Sequence, residues 1–146
     1  RETVEALGVK FCETKDELLA QSDVISANIP LTDESFHIID SDAISKMKDG
    51  VIVVNTGRGA LADTDALVAG LQSGKIKAAG LDVHETEPFS DVNHPLMKME
   101  NVILTNHVAF QSTEAARELE YKSALYAMQG AMGEVPVSAV NKQCRQ

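Results

Sequence analysis

Short apolar runs recur along the chain, each breaking into polar or glycine-containing residues, with stretches of helical spacing between them. The clearest is Val51–Val54, four branched apolar residues in a row, the pattern of a strand buried on both faces as in parallel sheets. It breaks into Asn55-Thr56-Gly57-Arg58-Gly59, a polar turn whose two glycines permit backbone geometry that other residues avoid. Asp23–Ile29, Lys77–Val83 and Val102–Thr105 read as further strands, the first closed by Pro30, and Val9–Cys12 is a shorter strand candidate. Thr14 with Glu17 three residues on is a capping box leading Leu18 and Leu19 into a short helix. Asp40–Met47 predicts a second helix with Ile44 and Met47 inward and Gly50 just after it as the left-handed cap. Asp63 or Thr64 caps a third over Asp65–Ser73, with Leu67, Val68 and Leu71 inward and Gly74 as its stop. Ser112 caps the longest, Thr113–Met132, along which Tyr121, Leu125, Met128 and Met132 form an apolar stripe. Strands alternating with short helices predict β/α units around a parallel sheet.

Composition narrows this picture without changing it. The 146 residues are 44% apolar and 24% charged, the balance of a globular domain large enough for a real core. No apolar run approaches the ~20 residues of a membrane-spanning helix, and no leader pattern opens the chain, so a cytoplasmic protein with no membrane partner is expected. A net charge of −9 speaks against direct nucleic-acid binding. Cys12 and Cys144 form no CxxC pair, which suits a reducing compartment. His37, His84, His94 and His107 show no metal-ligand spacing, so no metal is expected.

Three predicted strands each deliver a reactive side chain just past the carboxyl end: Arg58, then Glu87, then His107. In open α/β sheets ligands bind at that edge, and right-handed crossovers bring successive strand ends to it. Each residue alone has an ordinary reading: a surface cation, a solvated loop acid, a structural histidine. Together they supply what reduction of a 2-keto acid to a 2-hydroxy acid needs. The cation grips the substrate carboxylate in a two-point fork and polarises the carbonyl, the imidazolium gives a proton to the developing alkoxide, and the carboxylate supports the imidazole. Gly57-Arg58-Gly59-Ala60-Leu61-Ala62 matches the G-x-G-x-x-G/A dinucleotide string but is discounted. Its helix starts only at Asp63 or Thr64, too late for Ala62 to be the packing residue.

VNTGRGALADTDAL, GKIKAAGLDVHETEP and NVILTNHVAF, in that order, closely resemble the D-isomer-specific 2-hydroxyacid dehydrogenases, from about Ala6 to Asn141. The resemblance implies a Rossmann-like doubly wound parallel sheet of class α/β, here a partial NAD-binding domain. It implies 1–110 as the second half of that domain and 111–146 as the helix and tail returning to a substrate domain. Carried over residue by residue, it makes Arg58, Glu87 and His107 catalytic. It places Asn28, Ile29 and Pro30 near the adenosine, Thr56, Gly57 and Arg58 along the cofactor, Asp82 on the nicotinamide amide, and His107 with Ala109 beside it. The cofactor implied is NAD, with NADP left open, the substrate a small 2-hydroxy or 2-keto acid, and the full-length parent a homodimer.

Two departures stand out. Asn106 occupies the place where the family usually has proline before the histidine. The glycine-rich phosphate loop, the ribose-binding acid and the substrate-binding segment would all lie upstream of Arg1, so this chain alone is expected to be inactive. DVHETEPFS with Ala139-Val140-Asn141-Lys142 also looks like the branch of C-terminal-binding proteins, NAD-sensing corepressors, and that alternative stays open.

Overall fold

The computed structural model describes residues 5–140, which fall into two units divided after Ala109. Asn141, Lys142 and Cys144, singled out in the sequence, lie outside the described residues. In the first unit four strands form one parallel sheet in the order β1 (Val24–Ala27), β2 (Val51–Asn55), β3 (Ile76–Leu81), β4 (Val102–Leu104). The helices α1 (Lys15–Gln21), α2 (Ser41–Lys46) and α3 (Thr64–Ser73) precede or connect them, with 3₁₀ turns at Gly59–Leu61 and Pro95–Lys98. The second unit holds α4 (Thr113–Ala131), none of whose residues is buried.

Side chains of one parity build the core. Ile25 and Ala27 on β1, Val51 and Val53 on β2, and Ala79 and Leu81 on β3 pack with Leu19 of α1, Ile44 and Met47 around α2, and Leu67 and Leu71 of α3. Right-handed crossovers between sequential parallel neighbours place every connection on the same face, which is why one parity is sealed. The other parity differs from the expectation that β2 is buried on both faces. Ile52 and Val54 are only half-buried, and their neighbours Val24 and Ile103 are 54% and 72% exposed.

Local signals behave as their chemistry dictates. Thr14 Oγ1 accepts from Glu17 N at 3.1 Å, while Glu17 reaches back to Glu13 N at 3.1 Å, one residue before the cap. Asp40 caps α2 through Ala43 N at 2.8 Å and Asp63 caps α3 through Ala66 N at 3.0 Å. Gly74 ends α3 in the left-handed region at φ 79°. Gly50 is left-handed too, at φ 78°, but in the turn entering β2 rather than on the helix, which Met47 already ends. Val9–Cys12 is not a strand. The described sheet begins with β1, and Val9–Cys12 lies outside it. Val9, Lys10 and Phe11 are exposed and Cys12 is half-buried, so the segment buries little of the apolar surface that favours a strand.

Candidate active site

The carboxyl edge of the sheet is built from the turns that leave each strand. Asn55, the last residue of β2, is 1% exposed and closes its own turn. Its Oδ1 accepts from Gly57 N at 3.1 Å, and its Nδ2 donates to the Arg58 carbonyl at 2.9 Å. A buried amide that satisfies both a donor and an acceptor of the same turn leaves it one conformation. Thr56 Oγ1 lies 3.3 Å from Asn28 Oδ1, joining this turn to the end of β1, and Asn28 Nδ2 donates to Ser26 Oγ at 2.8 Å. A methyl on Gly57 would stand 3.0 Å from the Ala27 carbonyl oxygen, so glycine lets the two turns approach without either shifting. Ile29 and Pro30 are exposed beyond β1, where the Pro30 carbonyl accepts from Ser35 Oγ at 2.8 Å.

Arg58 is exposed and extended, at φ −141° and ψ 142°, and its Nη1 donates to the Gly57 carbonyl at 2.7 Å. The remaining donors of the fork stay available to a ligand. The next residue explains the glycine that follows. A Cβ on Gly59 would lie 2.0 Å from the His84 carbonyl carbon, so the turn after β2 sits directly against the backbone leaving β3.

Asp82, immediately after β3, is 4% exposed and organises the turn after β4. Its carboxylate accepts from the Thr105 hydroxyl, from Val108 N at 2.9 Å and from Ala109 N at 2.9 Å, and its carbonyl accepts from His107 N at 2.7 Å. Burial pushes this carboxyl up, but those bonds outweigh it and leave it below its ordinary value. The turn they enforce holds His107 in the left-handed region at φ 55°. A non-glycine residue there is uncommon, and in this turn four bonds to Asp82 over-determine it.

His107 Nδ1 lies 2.9 Å from Glu87 Oε2, and Glu87 Oε1 accepts from His84 N at 3.0 Å. The bond from His107 and then the amide of His84 hold the Glu87 carboxyl below its ordinary value. Because the carboxylate can only accept, Nδ1 carries the hydrogen and the ring points Nε2 elsewhere. Among the described residues Nε2 has no hydrogen-bond partner.

Two cavities open here. One of about 420 Å³ is lined by His84, Glu87, Phe89, Asn106 and His107. The other, about 260 Å³, is lined almost entirely by apolar surface, Val54, Gly80, Ile103 and Val108 among it, with Thr56 and Asp82 also in its lining. A larger cavity of about 580 Å³ lies on the helix side around His37, Asp63 and Glu85, and none of the residues expected to react lines it. Chemistry rather than size therefore locates the site.

The structure brings Glu87 onto His107 and sets Thr56, Asp82 and Ala109 around one cavity. It shows no bond from Arg58 to either partner of the pair. By sequence, Asn55 and Thr105 have no role of their own, and Gly57 and Gly59 read as glycines of unusual backbone geometry. Neither glycine has a positive φ; both instead permit close approach of the backbone at another strand's end. A polar residue ending an apolar strand is the signal that marks Asn55, whereas Gly59 answers to a contact 25 residues away that no local pattern records.

Residues 1–109 match the family model described as D-isomer specific 2-hydroxyacid dehydrogenase, NAD binding domain. The chain is 42% identical to a D-lactate dehydrogenase of Leuconostoc mesenteroides subsp. cremoris, over 89% of this chain and 43% of that protein. It is 42% identical to a glyoxylate reductase of Aeropyrum pernix, over 98% of this chain and 42% of that protein. A solved D-lactate dehydrogenase of Aquifex aeolicus, complexed with NAD and lactic acid, superposes with a TM-score of 0.83 at 34% identity, covering 92% of this chain and 44% of that one. The chain thus spans under half the length of these relatives.

Proposed function

The chain belongs to the D-isomer specific 2-hydroxyacid dehydrogenase family as its NAD-binding domain, and from that premise we propose that the whole protein carrying it interconverts a small D-2-hydroxy acid and its 2-keto acid. The observation that carries this reading is the Glu87–His107 pair, 2.9 Å apart at the carboxyl edge, with Nε2 left without a partner.

The residues fit the cofactor. A flat ring suits a small, almost wholly apolar cavity whose lining includes Thr56 and Asp82. Asp82 Oδ2 accepts only from Ala109 N, so it keeps a lone pair for a ligand amide. Asn28, Ile29 and Pro30, with the Thr56–Gly57 backbone, would line the rest, and Arg58, His107 and Ala109 border the reacting end. Bound there, NAD supplies the hydride exchange.

The chain's own residues do the remaining work. Arg58 holds the substrate carboxylate and the neighbouring carbonyl oxygen in its planar fork. His107 gives a proton from Nε2 to that oxygen on reduction and takes it back on oxidation. Glu87 accepts from Nδ1, which fixes the ring's orientation and balances the imidazolium charge. Asp82 holds the turn on which His107 is mounted.

Residues 1–110 form the second half of the cofactor domain and 111–146 return toward a substrate domain, in a cytoplasmic homodimer. The relatives described are two dehydrogenases and a reductase, which supports an enzyme over a corepressor-like interaction protein. The test is NADH consumption by the whole protein against a panel of small 2-keto acids, repeated with Glu87→Gln. Turnover of at least one acid that falls ~10²-fold or more in the variant supports the reading, on the usual scale of acid–base catalysis. Absence of turnover for every acid overturns it.

A further inference from the structure

Outside the reacting residues, one set of side chains converges on the loop that carries Glu87. His37, before α2, is in the left-handed region at φ 49° and stacks on Phe36 at 4.0 Å. Its amide donates to the Ala60 carbonyl at 2.8 Å. Its Nε2 lies 3.1 Å from Glu85 Oε2, and its Nδ1 lies 3.8 Å from Asp63 Oδ2, too far for a direct hydrogen bond. The other oxygen of Glu85 accepts from Thr64 N at 2.8 Å and from Thr64 Oγ1 at 2.5 Å, satisfying a first-turn amide of α3. Burial pushes the Glu85 carboxyl up, yet these bonds together keep it below its ordinary value.

Glu85 is thus clamped from two sides, two residues before Glu87. Its backbone is pressed against Gly59, whose missing Cβ would stand 2.4 Å from Glu85 N. Between Glu85 and the pair itself, the tie is His84 N on Glu87 Oε1 at 3.0 Å. Resting on the proposed keto-acid reading, we propose that His37 is a positioning residue: through Glu85 it fixes the loop that presents Glu87 to His107. Neither His37 nor Glu85 touches the reacting atoms, and neither lines the two cavities at that edge. A misplacement of about 1 Å in a catalytic group costs up to about 10²-fold in rate, so a brace of this kind shows in turnover.

The test uses the whole protein labelled at histidine nitrogen, with His37→Ala, His37→Gln, Glu85→Gln and, as reference, Glu87→Gln. The readouts are the His107 Nδ1–H resonance, kcat/KM for 2-keto acid reduction, and the Kd of NADH. In His37→Ala the resonance should move toward its position in Glu87→Gln. At the same time kcat/KM should fall roughly ten-fold, part of that misplacement scale, while NADH affinity stays within about two-fold. His37→Gln shares the backbone cost of a non-glycine residue at this φ but keeps a donor, so it should recover most of both. Glu85→Gln keeps an acceptor for Thr64 but offers His37 an NH₂, which the imidazole can meet only as an acceptor in its other tautomer, so it should lose part of both; it decides the matter if His37→Ala does not fold. Wild-type resonance and kcat/KM in both removals, or a loss of melting temperature alone, overturns the proposal. A resonance that responds to His37 in a protein that reduces no keto acid supports the brace and overturns the proposed function instead.

Discussion

Gly59→Ala isolates the contact that joins two of the turns at the site. The added Cβ would lie 2.0 Å from the His84 carbonyl carbon, 2.1 Å from its oxygen and 2.4 Å from Glu85 N. Ordinary contact begins at 3.4 Å, so one of the two backbones must move by about 1.4 Å. Backbone atoms cannot swing aside as a flexible side chain does, and overpacking of this kind costs about 1–3 kcal/mol. The segment that moves carries Arg58 on one side or, through His84, Glu87 on the other. A displacement of that size in either group lowers kcat/KM by about 10²-fold or more. Thermal unfolding and steady-state reduction of a 2-keto acid by the whole protein measure both effects. A Gly59→Ala protein with wild-type melting temperature and activity within a few-fold of wild type would refute the close approach and the role assigned to it.

Arg58→Lys keeps the charge but loses the planar fork, and kcat/KM is expected to fall by roughly 10²–10⁴-fold, the scale of a positioned transition-state donor; steady-state kinetics check it. Asn55→Ala removes both bonds that close the turn after β2 and leaves Gly57 N and the Arg58 carbonyl to find other partners. A loss of about 2–3 kcal/mol in denaturant unfolding is expected. Glu85 and Glu87 both titrate below their ordinary 4.5 in the fold, so the unfolded chain binds more protons in that window and stability rises with pH. Their contribution is fully present above pH 4.5 and is lost as pH falls through the folded values. Melting temperature followed on acidification should therefore drop less steeply below pH 4.5 in Glu85→Gln than in wild type.

Periodicity and capping chemistry made the elements legible because they are local. Asp63 and Ser112 each sit three residues before the amide they accept from, so the sequence shows both partners at once. Asp40, read as the first residue of its helix, caps it in the same way. The parallel order followed from β/α alternation, and the strand-end position of Glu87 and His107 followed from that order. Other features depend on distant partners. Val9–Cys12 has the composition of a strand but lies outside the described sheet with most of its side chains exposed, and residue pattern does not record that exposure. Val51–Val54 reads as doubly buried because branched residues fill both parities, yet the crossover helices of this unit seal only one. The tie between His37 and Glu85 spans 48 positions, and neither residue stands in a pattern that points to the other.

The most direct measurement of the central claim is the kcat/KM of NADH-dependent 2-keto acid reduction by the whole protein, compared between wild type and His107→Gln. With His107 as the proton donor held by Glu87, the variant should lose about 10²–10⁴-fold in kcat/KM, while its Kd for NADH stays within a few-fold of wild type. A His107→Gln protein that reduces the same acid within a few-fold of wild type would contradict it.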